Sequence, residues 1–309
     1  MKEICVVGSL NIDMAITAPR IPPMGETIHG TGFMTSPGGK GANQAVAAAR
    51  LGGKVKMIGF VGNDLFGGSL KKNLEENGID TGLVGTAEGV PTGVAVIVVK
   101  EGDNFIILDS GANNSNTAES VKSSAEAISG ADMVLLQHEI PQAAVEKAIE
   151  LARANGTKVL LNPAPARPLE DRLLKQLDII VPNESECAFI TGLPVNSVSD
   201  AEKSVEFLMK KGVPQVVVTM GEKGVIYNRN EEIVYKQAQK VEPVDTTAAG
   251  DSFIGALAVA LTSGKSIDEA VDFAGVVAAV TITRRGAQFS IPFLNELDNY
   301  MGGMNTAVL

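Results

Sequence analysis

Asp251 stands in the most chemically suggestive surroundings of the chain. It closes the segment Asp245-Thr246-Thr247-Ala248-Ala249-Gly250-Asp251, which leads directly into a helical apolar period over 254–262. The small side chains of Ala248, Ala249 and Gly250 let the backbone approach a ligand closely. At a helix start their amides lack intrahelical acceptors, and with the helix dipole they attract anions. A carboxylate placed there can take a proton from an alcohol held beside the anion. The same position also suits an ordinary N-cap or first-turn acid.

Other polar groups fall at comparable places. Pro37-Gly38-Gly39-Lys40-Gly41-Ala42-Asn43-Gln44-Ala45 opens a helix, with Lys40 and Asn43 as polar heads. It lacks the spacing of a P-loop and reads otherwise as a glycine turn before a core helix. Gly8-Ser9-Leu10-Asn11-Ile12-Asp13 follows the first apolar run. In extended chain Asn11 and Asp13 share a face, and an amide with a carboxylate suits gripping neighbouring hydroxyls. Asn183 and Glu186 are placed to share the face of a first helical turn, either as a cap or as a holder of hydrated Mg²⁺. Thr219-Met220-Gly221-Glu222-Lys223-Gly224 is a glycine turn, and Glu139 follows another apolar run beside His138. Both histidines read as structural.

The elements that must position these groups alternate. Buried-strand patterns at 4–7, 56–61, 133–136, 159–161, 179–181 and 216–220 are interleaved with helical periods at 42–51, 65–77, 118–128, 143–155 and 200–211. Helices at 249–262, 267–283 and 293–301 follow. Such alternation predicts an α/β fold with a doubly wound, mainly parallel sheet flanked by helices. Ligands then lie outside the carboxyl ends of the strands, where the polar segments fall. Two stretches break the rhythm. The proline-rich 14–37 and the alternating 92–108, which turns at Glu101-Gly102-Asp103-Asn104, predict a small separate β-sheet. The expected division is 1–13, 38–91 and 109–309 for the α/β body and 14–37 with 92–108 for the small sheet.

Composition narrows the function. The chain has 309 residues, 45% hydrophobic and 20% charged, enough for a substantial core. A net charge of −10 disfavours nucleic acid and anionic membrane as partners. Cys5 and Cys187 make neither a disulfide framework nor a zinc site, which points to a reducing cytoplasm. No apolar stretch reaches the ~18 residues of a membrane span. Without GxGxxG after the first strand, a dinucleotide-binding oxidoreductase is disfavoured.

The segments DTTAAGD, PGGKGANQA and NID, together with Thr283-Arg284-Arg285-Gly286-Ala287-Gln288-Phe289-Ser290, resemble the ribokinase family of sugar and nucleoside kinases (pfkB type) over nearly the whole chain. The resemblance implies phosphoryl transfer from MgATP to the primary hydroxyl of a pentose. It implies a sugar pocket of Asn11, Asp13, Gly39, Lys40, Asn43 and Glu139. Asp251 is implied as general base and Ala248, Ala249 and Gly250 as anion hole. Asn183, Thr219, Gly221, Gly224, Gly250 and Gly275 are implied on the ATP side, with Glu186 acting on Mg²⁺ through water. Asp245, Thr247, Thr281, Arg284, Gly286 and Ser290 match loops that hold a monovalent cation, usually K⁺. The family's lid matches 14–37 and 92–108 and also makes a homodimer. Ala248 stands where many members carry Gly, and Gly275 where an adenine-facing Asn or His is common. Another acceptor (2-deoxyribose, fructose, a nucleoside or pseudouridine) and a non-catalytic sugar sensor remain the alternatives.

Overall fold

The computed structural model describes residues 3–100 and 103–297. Its strands are β1 (Glu3–Val7), β2 (Asn11–Thr17), β3 (Thr31–Gly38), β4 (Lys54–Gly62), β5 (Asp80–Ala87), β6 (Gly93–Lys100), β7 (Asp103–Asp109), β8 (Met133–Leu136), β9 (Lys158–Leu161), β10 (Ile179–Ile180), β11 (Gln215–Thr219), β12 (Val225–Arg229) and β13 (Glu232–Lys236). The helices are α1 (Lys40–Arg50), α2 (Leu65–Glu76), α3 (Ala118–Ser123), α4 (Ala125–Ser129), α5 (Gln142–Asn155), α6 (Asp171–Leu174), α7 (Glu184–Thr191), α8 (Val198–Lys210), α9 (Ala249–Thr262), α10 (Ile267–Ile282) and α11 (Ala287–Ser290).

Nine strands form one sheet in the order β13-β12-β11-β10-β9-β8-β1-β4-β5. Its pairs are parallel except β11–β12 and β12–β13. Alternate strand residues enter two different cores. Ile4, Val6, Met133, Leu135 and Leu160 pack with α1, α2, α9 and α10. Cys5, Val7, Val134, Leu136 and Leu161 pack with α3, α4, α5, α7 and α8. A strand covered on both faces has no solvent side, which is why these runs are continuously apolar.

A second sheet has the order β3-β2-β6-β7. β2 and β6 run parallel, and β6 and β7 form the antiparallel hairpin expected from 92–108. Strand pairing in this sheet begins at Asn11 and ends at Gly38, so β2 and β3 grow directly out of the polar segments of the main body. Phe33, Ile106 and Ile107 of this sheet are exposed.

Two helical expectations are corrected. The period over 118–128 divides into α3 and α4 at Ser124. There Ser123 and Ser124 both turn their hydroxyls back to the Ser120 carbonyl, in competition with the helix ladder. In place of a helix over 293–301, the described residues show only a 3₁₀ turn, Leu294–Glu296, and the remainder of that stretch from 298 lies outside them. No helix among the described residues is long and apolar enough to cross a membrane.

Candidate active site

β1 lies between β4 and β8, and the chain visits the two sides of the sheet in turn. This reversal opens a crevice beyond the carboxyl end of β1. Ser9, just after β1, donates its hydroxyl to Glu139 Oε2 at 2.6 Å, and Glu139 follows β8. The same carboxylate oxygen accepts the Lys40 amide at 2.9 Å, so Glu139 sits at the positive end of α1. Gly39, at φ +88°, makes this entry possible: a Cβ there would lie 2.8 Å from the Asn11 amide and 2.9 Å from the Ser9 carbonyl.

Asn11 and Asp13 lie two residues apart on β2 and are both buried. Asn11 Oδ1 accepts from Asn113 Nδ2 at 2.7 Å. Burial, followed by the like charges of Glu139 and Asp251, pushes the Asp13 carboxyl up to about 7 against the pull of Lys40. Lys40 experiences the same field from the other side. Burial works against its charge, but Asp251, Glu139, Glu186 and Asp13 outweigh burial and hold the ammonium above the ordinary lysine value.

Asp251 occupies the first turn of α9 and is 7% exposed. Asn43 Nδ2 donates to its Oδ2 at 2.9 Å, and Gln44 Nε2 to its Oδ1 at 3.0 Å. Close packing of α1 on α9 brings these groups together: a Cβ on Gly255 would lie 2.5 Å from Ala47 Cβ and 2.9 Å from the Gln44 carbonyl. The N-cap Ala248 adopts φ +61° and ψ 10°, with no side-chain cap. Of the expected anion-facing amides, that of Ala249 already donates to Thr246 O at a long 3.3 Å. Gly250 is exposed, with open space where a Cβ would stand, and its amide and that of Asp251 lie in the helix's first turn, without intrahelical acceptors.

The expected ATP-side segments are also adjacent. Asn183 bridges to Thr219, and the Thr219 amide donates to Pro182 O at 3.0 Å. Asn183 and Glu186 form a full capping box on α7, with the Asn183 amide 2.9 Å from Glu186 Oε2. The cap and ligand readings therefore converge on the same residues. Burial raises the Glu186 carboxyl, opposed by the Asn183 amide and Lys40. Gly221 and Gly224 flank a 3₁₀ turn, and Gly275 lies within α10 beside open space.

Asp245 links two loops. Its Oδ1 accepts the Thr247 amide and hydroxyl, and its Oδ2 accepts the Gly286 amide at 3.0 Å. Thr281 and Ser290 turn their hydroxyls to the carbonyls of Val277 and Ala287 within their own helices, and Arg284 pairs with Glu296. Asp245 is thus the carboxylate at the junction of these loops, and its two oxygens already accept three protein donors. Among the described residues no cluster of three or more His, Cys, Asp and Glu forms a metal cage. Glu186 as a single carboxylate fits Mg²⁺, which keeps waters and leans on substrate phosphates.

Gln44, Ser9 and Gln288 were not singled out from the sequence. Gln44 stands next to Asn43 in PGGKGANQA and touches Asp251 as closely as Asn43 does. Two neighbouring amides at a glycine-led helix start were the available signal.

A buried carboxylate gripped by two amides, at a helix start in the crevice of a doubly wound sheet, is the equipment of a kinase acting on small hydroxylated molecules. The pfkB family of carbohydrate kinases matches residues 1–294, and the chain belongs to that family. It is 43% identical over 296 residues to a ribokinase of Haemophilus influenzae, covering 96% of this chain and 97% of that protein. It is 37% identical to a deoxyribokinase of Salmonella typhi, covering 97% and 98%. The structure of Arabidopsis thaliana ribokinase complexed with ribose and ATP superposes with a TM-score of 0.92 at 32% identity, covering 98% of this chain and 99% of the other.

Proposed function

We propose that the protein transfers the γ-phosphoryl group of ATP to the 5-hydroxyl of D-ribose, giving ribose 5-phosphate and ADP. The observation that carries this reading is the double grip of Asn43 and Gln44 on Asp251, beside Asp13, Glu139 and Lys40. The ribokinase relatives support ribose as the acceptor.

Both oxygens of Asp251 accept amide hydrogens, which fixes the plane of the carboxylate. One remaining lone pair receives the proton of the sugar hydroxyl as the new O–P bond forms and the bond to ADP breaks. The transferring group spreads charge over its equatorial oxygens, so fixed donors and cations provide most of the catalysis. The amides of Gly250 and Asp251 at the start of α9 supply donors, and Lys40 supplies positive charge. Asn183, Thr219, Gly221 and Gly224 seat the nucleotide. Glu186 would hold a hydrated Mg²⁺, which would supply charge neutralisation on the transferring phosphates. Asp245, with the loop around Gly286, would hold a monovalent cation such as K⁺, which would supply positive charge beside the anion-binding turn. Asn11, Asp13 and Gly39 hold the sugar hydroxyls. The small sheet covers the crevice as a lid and excludes water. Its exposed apolar residues Phe33, Ile106 and Ile107 take a second copy of the chain, giving a homodimer. Two free, buried cysteines suit a reducing cytoplasm.

The test is ADP release across pentoses, hexoses and nucleosides, with and without K⁺. A site built to bond a hydroxyl rejects the analogue lacking it, so kcat/KM for ribose should exceed that for 2-deoxyribose. Equal values would contradict selection by the hydroxyl, and a preference for 2-deoxyribose would transfer the assignment to the deoxy sugar. Asp251→Asn should lower kcat by about 10²–10⁴-fold with a modest change in KM. Near-normal turnover would remove Asp251 from its role.

A further inference from the structure

We propose that Asn73 and Gln288 are positioning residues, which determine how Asn43 presents its amide to Asp251. The claim rests on the reading of Asp251 as base and extends it to two residues that make no hydrogen bond to Asp251 themselves.

Three amides stand in line behind the carboxylate. Asn43 Nδ2 donates to Asp251 Oδ2 at 2.9 Å. Gln288 Nε2 donates to Asn43 Oδ1 at 3.1 Å, and Asn73 Nδ2 donates to Gln288 Oε1 at 2.6 Å. The direction follows from chemistry. An ionised carboxylate only accepts, so Asn43 must turn its NH₂ inward and its oxygen outward. Gln288 must then offer NH₂ to that oxygen, and Asn73 must do the same to Gln288. Gln288 and Asn43 are buried, so water cannot stand in for a reversed partner. The Gln288 backbone is held independently: Arg50 Nη1 donates to its carbonyl and to that of Ile291, both at 2.6 Å. The relay ends on α2 at half-buried Asn73.

The decisive experiment compares Asn73→Asp with Asn73→Ala. Aspartate is nearly isosteric with asparagine but replaces the donor by an acceptor. Gln288 then turns its NH₂ outward, Asn43 follows, and an amide oxygen faces Asp251. The expected result is a kcat about tenfold lower, with KM for ATP within about twofold. Alanine removes the donor without imposing an acceptor and should cost less than about threefold. Packing alone predicts the opposite order, because alanine leaves the larger void. Asn77→Asp places the same charge one turn on, at the C-cap of α2. It keeps the acceptor for Arg50 Nε and gives up only the Nδ2 donation to the Asn73 carbonyl, leaving the Asn73 side chain its donor to Gln288, so it should leave kcat unchanged. Gln288→Glu should fall below Gln288→Met by the same logic. If either fails to fold by thermal melting, the Asn73 and Asn77 series decides alone. An alanine effect equal to or larger than the aspartate effect, equal effects at 73 and 77, or a flat series would each overturn the relay. Loss of activity in Asp251→Asn with a flat Asn73 series sinks the relay alone, whereas an active Asp251→Asn sinks the catalytic reading itself.

Discussion

Gly255 of α9 and Ala47 of α1 meet with no room between them: a Cβ on the glycine would lie 2.5 Å from that of the alanine. The backbone of Ala48 and the Gln44 carbonyl are each 2.9 Å from the same point, so the obstruction is main chain and not a movable side-chain tip. The contact sets the distance between the helix that carries Asn43 and Gln44 and the helix that carries Asp251.

Gly255→Ala should therefore force the two helices apart. Overpacking of this kind costs about 1–3 kcal/mol. Urea unfolding should show that loss, and kcat should drop with it because both amide grips on Asp251 lengthen. A variant with unchanged stability and turnover would show that the helices have slack.

Ala248→Gly should act in the opposite sense. A left-handed conformation costs a non-glycine residue about 1–2 kcal/mol, and glycine's extra freedom in the unfolded chain returns about 0.5–1 of it. The net expectation is a gain of up to about 1 kcal/mol in denaturant unfolding. A loss would mean that the alanine methyl makes a contact worth more than the strain.

The stability of the ligand-free protein should carry the signature of Asp13. Its carboxyl is raised from 3.8 to about 7, so the folded state holds the proton more tightly than the unfolded chain. Stability from this group is complete below pH 3.8 and is lost as pH climbs to about 7. Asp13→Asn lacks this dependence, so its stability relative to the parent should rise as pH climbs from 3.8 to about 7 and level off above that. Parallel pH curves for the two proteins would refute the placement of Asp13 among like charges.

Glu186→Gln keeps an oxygen to accept the Asn183 backbone amide but loses the second acceptor, Oε1, which takes Asn183 Nδ2 at 2.9 Å. Thermal stability should fall by no more than about 1 kcal/mol, the worth of one hydrogen bond. The Mg²⁺ concentration for half-maximal turnover should rise about tenfold, the lower end of the range for partners that act on a metal indirectly. An unchanged Mg²⁺ requirement would leave Glu186 with capping alone.

The parallel core of the fold was legible because strands buried on both faces are written as unbroken apolar runs, as at Ile4–Val7 in β1 and Met133–Leu136 in β8. β5, β12 and β13 were missed: β5 mixes exposed and glycine positions and β13 carries charged residues at both ends, both on sheet edges, while the interior β12 gives only three apolar residues before the polar Asn228-Arg229. In the site, Asp251 and Asn43 could be found because each lies in a local segment of unusual composition. Gln288, Asn73, Gln137 and Asn162 could not. Gln137 Nε2 meets Gln44 Oε1 at 2.6 Å and Asn162 Oδ1 meets Gln44 Nε2 at 3.2 Å, partnerships across the sheet order that no spacing along the chain encodes.

β2 runs from a buried root at Asn11, Ile12 and Asp13 to an exposed end at Thr17, in unbroken register with β6 but with a shift against β3 between Ala15 and Thr17. The whole strand pairs within the small sheet, and its inner end brings Asp13 into the field of Glu139 and Asp251. One stiff ribbon thus serves two masters. If the sugar binds at Asn11 and Asp13 and a second copy docks on the outer strands, as proposed, any coupling between the two through β2 must be reciprocal. Sugar affinity and self-association would then each report on the other.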